Sequence, residues 1–248
     1  MIEAKNIVKI FQDRNVLDNV SVVFEEGKTN LIIGLSGSGK TVLMKCLVGL
    51  YNIDEGEIFY DGRNFQNISL NEKKIIRQEI GMLFQGGALF DSQTVEENVM
   101  FPLEMFTEMS QKEKHERVNF CLNRVNLENS NNLYPSEISG GMKKRVAIAR
   151  AIALQPKYLF CDEPNSGLDP KTSIVIDNLI AEITHEFNIT TVINTHDMNS
   201  VLEIGDRVTF VYQGKIWWQG DKHTILEATN KELHEFVYAS ELTRKLKK

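Results

Sequence analysis

Three sets of residues in this 248-residue sequence have types and spacings that could do chemistry. The first is Gly34-Leu35-Ser36-Gly37-Ser38-Gly39-Lys40-Thr41, which fits G-x-x-x-x-G-K-[ST], the pattern of a phosphate-binding loop. Backbone N–H groups converge on a phosphate only where side chains are absent, and Gly34, Gly37 and Gly39 remove them. Lys40 would put a charge on the β- and γ-phosphates, and the Thr41 hydroxyl would be a Mg²⁺ ligand. The second set is Asp162-Glu163. Asp162 is expected as a second Mg²⁺ partner because that ion takes hard oxygen ligands, and Glu163 can polarise a water in line with the γ-phosphate. The third is His196, which could hydrogen-bond that phosphate and hold Glu163 or the water in place. The plainer alternatives are a Gly/Ser-rich turn entering an ordinary helix, an acidic turn and a satisfied structural histidine.

The elements that must position these residues are legible around them. Leu31, Ile32 and Ile33 supply a buried strand before the glycine-rich turn, and Val42, Leu43, Cys46, Leu47 and Leu50 give the following helix an apolar stripe. Residues 158–161 read as a buried strand that delivers Asp162 and Glu163 to its end, where α/β sheets bind ligands. Residues 190–194 form a β-branched strand ending at His196. Residues 2–27 read as antiparallel strands, with Phe11 closing the first as a core aromatic or a surface one. A helix over 70–78 and a strand over 80–84 lead to Gln85. From 94 to 128 the composition turns helical, and a polar loop closes that insertion. Ser139 is a plausible N-cap for a helix reaching about residue 154, on which Lys143, Lys144, Arg145 and Arg150 read as a solvated face. A helix over 171–186, a hairpin around Gln213-Gly214 and a helical end with Leu233, Phe236 and Val237 on one face complete the chain. The basic tail at 242–248 reads as a solvated end. Strands alternating with helices predict a parallel-rich sheet.

Bulk properties bound the partners. The length suits one α/β domain with an insertion. Apolar runs are far shorter than the roughly 18 to 20 residues of a membrane helix, and no signal core opens the chain, so it is expected in the cytoplasm. The net charge of −6 argues against a general polyanion surface and makes nucleic acid a poor partner. Cys46, Cys121 and Cys161 show no pairing pattern and read as small buried hydrophobes.

Taken together, the motifs resemble the ATP-binding cassette (ABC) family. Residues 34–41 are similar to its Walker A motif, Gln85 to its Q-loop, Ser139-Gly140-Gly141 to its signature, 158–163 to its Walker B segment, 166–169 to its D-loop and His196 to its switch histidine. The resemblance runs from Phe11 to about residue 220. It implies an α/β P-loop NTPase fold, a RecA-like core with an antiparallel β subdomain and an inserted helical subdomain. That would be a single ATPase domain over 1–230, inserted at about 88–153, with a C-terminal extension over 231–248. ATP and Mg²⁺ are the implied cofactors. Phe11 would stack on adenine, Gln85 would touch both ATP and metal, and Glu163 and His196 would be catalytic. Two copies would pair head to tail, so that Ser139, Gly140, Gly141 and Asp169 act in trans on ATP held by the other copy. The groove near Gln85 would receive a helix of a transmembrane permease subunit.

Two positions depart from the commonest signature, Ile138 for Leu and Met142 for Gln. Met142 removes an amide but leaves the backbone donors of 139–141. Ser-Gly-Gly-Met, with Gly-Ala-Leu-Phe-Asp-Ser at 87–92, resembles the ATPase subunit of Mla-type (maintenance of lipid asymmetry) transporters. That narrower resemblance implies a motor for phospholipid trafficking at the cytoplasmic face of the inner membrane. Its partners would be a permease dimer and a lipid-binding MCE-domain protein, and its C-terminal extension would grasp the neighbouring ATPase. The alternatives are a transporter for another substrate and a soluble ABC ATPase acting on DNA or ribosomes. Against the last, no sustained heptad run separates Lys40 from Ser139, and there is one cassette. A P-loop kinase would leave Ser139-Gly140-Gly141 and His196 unexplained.

Overall fold

The alternating segments at the start of the chain build an antiparallel pair, β1 (Ile2–Phe11) and β2 (Arg14–Phe24), with Ile2, Ile7, Leu17, Val20 and Phe24 turned inward. β3 (Thr29–Ile33), buried throughout, leads into α1 (Lys40–Leu47). β4 (Glu55–Tyr60) pairs with β1 and the short β5 (Arg63–Asn64) with β4, giving a four-stranded sheet of order β2-β1-β4-β5. α2 (Leu70–Gln78) and β6 (Ile80–Leu83) precede three helices, α3 (Val95–Phe106), α4 (Gln111–Arg124) and α5 (Gly140–Ile152). β7 (Tyr158–Asp162), α6 (Pro170–Glu186), β8 (Thr190–Thr195) and α7 (Met198–Ile204) alternate before the hairpin β9 (Arg207–Tyr212) and β10 (Lys215–Gly220). α8 (Lys231–Val237) follows. The structure is a computed structural model and describes residues 1–239. The basic tail at 242–248 lies outside the described residues.

The second sheet has order β10-β9-β3-β8-β7-β6. β6, β7, β8, β3 and β9 run parallel and β10 is antiparallel. Its central strands β3, β7 and β8 are buried at every position, as expected of parallel strands covered on both faces. The side-chain alternation of a strand then feeds two cores. Leu31, Ile33, Leu159, Cys161 and Ile193 face the helices α3 to α6. Ile32, Tyr158, Phe160 and Val192 face α1 and the antiparallel sheet. All three cysteines are free and buried, and burial pushes the Cys46 and Cys121 thiols up to about 11.

Local chemistry sets the helix starts. Ser69 with Glu72, Thr94 with Glu97 and Ser110 with Glu113 form reciprocal capping boxes at α2, α3 and α4. Ser139 Oγ accepts from Met142 N at 3.2 Å and caps α5, as the sequence predicts. Two elements differ from expectation. α1 stops at Leu47 because Gly49 turns the chain at φ 73°, which leaves Leu50 exposed instead of on the apolar stripe. α7 was not anticipated, being only two turns long, and Asp197 starts it by accepting from Asn199 N at 2.8 Å.

Candidate active site

The turn after β3 is shaped by a close approach of the chain to itself. Gly34 has φ 149°, and a Cβ there would sit 2.2 Å from the Val211 carbonyl oxygen, so a side chain has no room. The loop ends at the N-terminus of α1, where N–H groups and helix dipole favour an anion. Lys40 is buried, and its Nζ donates to Gly34 O at 2.8 Å and Leu35 O at 3.0 Å. Burial lowers its pKa, while the charges of Glu163 and Asp162 pull it back up. Ser38 Oγ is buried in the same loop with no partner among the described residues.

Thr41 and Asp162 come from α1 and β7, and one amide ties them together. Asn194 Nδ2 donates to Thr41 Oγ1 at 3.1 Å and to Asp162 Oδ1 at 2.6 Å. Asn194 is fully buried on β8, between the two. The hydroxyl and carboxylate so placed are hard oxygen donors that suit Mg²⁺, an ion that keeps waters and takes phosphate oxygens as well. Among the described residues no group of three or more His, Cys, Asp or Glu could hold an ion. Sequence reasoning passed over Asn194. Its one signal there is a polar amide inside an apolar, β-branched strand.

β7 and β8 deliver the hydrolytic candidates side by side. Glu163 N donates to Asn194 O at 2.9 Å, extending the pairing of β7 with β8. Glu163 itself takes φ 49°, a left-handed backbone that few non-glycine residues adopt and that recurs at functional sites. His196 Nδ1 lies 3.0 Å from Glu163 Oε1 and 2.8 Å from Oε2. His196 is exposed on the open side of the pair.

The remaining candidates lie around this centre. Gln85, just beyond β6, donates through Nε2 to Ser166 Oγ at 3.4 Å, in the segment after Glu163. Phe11 is 40% exposed and meets Tyr51 edge-on at 5.5 Å, so it is not a core aromatic. Asp169 accepts from Lys171 N and Thr172 N at 3.1 Å and caps α6; bonds from the Thr172 hydroxyl and backbone hold its carboxyl below the usual range. Gly141 is a necessity of packing, since a Cβ there would sit 2.7 Å from Thr172 Cγ2. Among the described residues no hydrogen bond or ion pair joins 139–141 to 34–41.

The basic residues of α5 are not a solvated face. Lys144 is buried and donates to Gln85 O, and Arg150 donates to Ala88 O at 2.8 Å and Gly87 O at 2.7 Å. Arg145 donates to Asn126 O at 2.8 Å. These carbonyls belong to turns whose own amides do not return to them, and long cationic side chains close the gap. A cavity of about 560 Å³ lies at the opposite edge of the sheet, lined by Tyr158 and Thr190 at the starts of β7 and β8, away from Asp162 and His196.

A phosphate loop that opens a helix, beside a strand-end Asp-Glu in a parallel sheet, defines a P-loop NTPase. Residues 17–166 match the family described as ABC transporter. The chain is 40% identical to the methionine import ATP-binding protein MetN of Clostridium tetani, over 98% of this chain and 76% of that protein. It is 41% identical to MetN of Haemophilus influenzae, over 96% and 70%. Among solved structures, a dimeric post-hydrolysis state of the ATP-binding cassette MJ0796 bound to ADP and Pi superposes with TM-score 0.80 at 33% identity, covering 90% of this chain and 99% of that one. CbiO1 from Clostridium perfringens, part of the ABC transporter complex cbiONQ, gives TM-score 0.85 at 27% identity, covering 100% and 98%. The chain belongs to the ABC transporter family, with its α/β cassette fold, and is an ATPase. The two MetN relatives are methionine import ATP-binding proteins, so they do not support the narrower resemblance to Mla-type lipid transporters.

Proposed function

We propose that this chain is the motor subunit of an ABC transporter and that residues 34–41, Asp162, Glu163 and His196 form its hydrolytic site. The observation that carries this is the Glu163–His196 pair standing at adjacent strand ends beside Thr41 and Asp162, which Asn194 links. The backbone amides of 34–41 and Lys40 hold the phosphates of ATP, with Leu35, Ser36 and Ser38 lending their N–H groups. Thr41, Asp162 and Gln85 would hold Mg²⁺, which supplies charge neutralisation at the β- and γ-oxygens. Glu163 accepts the proton of the attacking water, and His196 keeps its carboxylate aimed. Phe11, exposed at the end of β1, offers a face to adenine. Ser139, Gly140, Gly141 and Asp169 complete the site of a second copy. Segment 88–153 would be the helical subdomain and 231–248 an extension of the domain.

The test is Glu163→Gln, which keeps shape and removes the base. Turnover should fall by about 10²-fold or more, with ATP affinity retained in a binding titration. Wild-type turnover would return Glu163 to an acidic turn.

For the cargo, the names of the relatives support import of a small molecule such as methionine. A second reading, phospholipid with an MCE-domain partner, rests on Met142 and residues 87–92. Phe84, 40% exposed and next to Gln85, lines a groove of about 490 Å³ together with Val48, Leu50, Ile80 and Met82. A permease helix seated there would lie beside Gln85. The chain would then sit at the cytoplasmic face of the inner membrane, held by that contact. Among the described residues no helix is long and apolar enough to cross a membrane. Purification from membranes with mass spectrometry separates the readings: an MCE-domain protein with bound phospholipid supports the second, and an amino-acid-binding partner the first.

A further inference from the structure

Behind the Glu163–His196 pair, a second link joins the same two segments. Asn165 Nδ2 donates to Ser200 Oγ at 3.1 Å, and Ser200 Oγ donates to Asp177 Oδ2 at 2.8 Å. Asp177 is 3% exposed and Ser200 1%. The three residues come from the turn that follows Glu163, from α7, which Asp197 caps just after His196, and from α6. Ser200 has one hydroxyl proton and a carboxylate can only accept, so the direction of the chain is fixed by Asp177.

Both ends of this chain are stiffly connected to the hydrolytic pair. Ser166 N donates to Glu163 O and Leu168 N to Asn165 O, each at 3.1 Å, so Asn165 sits in a tight double turn with Glu163. On the other side, Asp197 N donates to Thr195 Oγ1 at 3.1 Å and Asp197 caps α7, which holds Ser200 at a set distance from His196. α6 also carries Asp169 at its own N-terminus.

Asp177 is a poor choice for stability. Its Oδ1 has no partner among the described residues, and a carboxylate taken out of water without full pairing costs free energy. Burial is the first cause that raises its carboxyl to about 6; the bond from Ser200 pulls it back, and the charges of Asp197 and Glu203 add to the rise. A local rule broken without gain to the fold points to function.

We propose that Asp177 is a positioning residue for ATP hydrolysis, fixing through Ser200 and Asn165 the place of Glu163 relative to His196. The inference rests on the reading of those two residues as the hydrolytic pair. Three single variants of the full chain and one double variant test it, with kcat, KM for ATP and thermal midpoint measured for each. Asp177→Leu lowers kcat about three- to tenfold, the scale on which partners in one hydrogen-bond network couple. Its KM stays within about twofold, as expected when ground-state binding is untouched, and its melting midpoint stays level or rises. Asp177→Asn, which keeps an acceptor oxygen, recovers part of kcat. Ser200→Ala loses kcat by a similar factor, and adding it to Asp177→Leu costs nothing further.

Wild-type kcat in Asp177→Leu overturns the proposal, and so does a kcat that falls only in step with the melting midpoint. Glu163→Gln, run alongside, separates the two levels. If it still turns over, the hydrolytic reading falls and this inference with it. If it is inactive while Asp177→Leu is as fast as wild type, the positioning role alone is wrong.

Discussion

The side chain of Asn194 holds two residues of the site in register and makes no other bond, its oxygen being buried without a partner among the described residues. An amide that orients a candidate metal-binding hydroxyl and carboxylate acts on the metal through them, and such outer partners carry about 10- to 100-fold in metal affinity. Asn194→Leu should therefore weaken ATP binding measured with Mg²⁺ by about tenfold while leaving binding measured in chelator unchanged; equal losses in both titrations would make Asn194 a packing residue. Asp177 makes a separate prediction through pH. Its folded-state pKa of about 6 lies above the ordinary 3.8, so the native state keeps a proton there that the unfolded chain has released. The stability this residue contributes is full below about pH 4, is lost as pH rises towards 6, and stays lost above it. The span is about 3 kcal/mol for a shift near two units. Urea unfolding of wild type and Asp177→Asn should differ by an amount that changes by that much between about pH 3 and 7, and a constant difference would place the titration elsewhere. Neither residue was legible in the sequence. Spacing identifies residues that share one loop or one helix face, whereas Asn194 and Asp177 act across neighbouring strands and helices. Glu163 and His196 were legible because each ends a strand whose composition announces it.

At the scale of elements, α5 is more than the helix that opens at Ser139. Its cationic face, expected in solvent, fastens the turn after β6 through Lys144 and Arg150 and so fixes where Gln85 stands. The sequence shows four basic residues on one helix but not what lies opposite them; the carbonyls of Gln85, Gly87 and Ala88 become neighbours only when β6 joins β7 in parallel. Strand order is set by crossovers that periodicity does not encode, whereas the longer strands, fully apolar or alternating, are evident; the two-residue β5 has no pattern to show. Helix ends were readable where a cap residue marks them and not where a glycine turn ends α1 early. Arg150→Ala leaves two carbonyls without their donor. It should cost about 1.5 to 3 kcal/mol, the value of hydrogen bonds to a charged group, and raise hydrogen exchange over residues 85–92 ahead of the rest of the chain. Uniform exchange would mean that the turn is held by its own packing.

Across the whole molecule, the question is where the site ends. Within one chain the six-stranded sheet gathers 34–41, Asp162, Glu163 and His196 at one edge, while Ser139, Gly140 and Gly141 stand at the head of α5 with Leu168 and Thr172 as their neighbours. Gly140 and Gly141 present backbone donors at a helix N-terminus, a ready position for an anion. Under the function proposed above, these donors would meet a phosphate held by a second copy. Head-to-tail pairing of two copies then gives two sites, each built from both chains. Complementation decides this without a structure of the pair. Lys40→Ala spoils the phosphate loop of its own chain, and Ser139→Glu places a negative charge where the other chain's phosphate would come. Each variant alone has two broken sites and no turnover. In a mixed dimer both lesions fall in one site and the other is intact. Random mixing should thus restore about a quarter of the wild-type rate, because half the dimers are mixed and each has one working site of two. A site complete within one chain predicts no recovery at any ratio, and that result, with dimers still present by sizing, would refute the shared site.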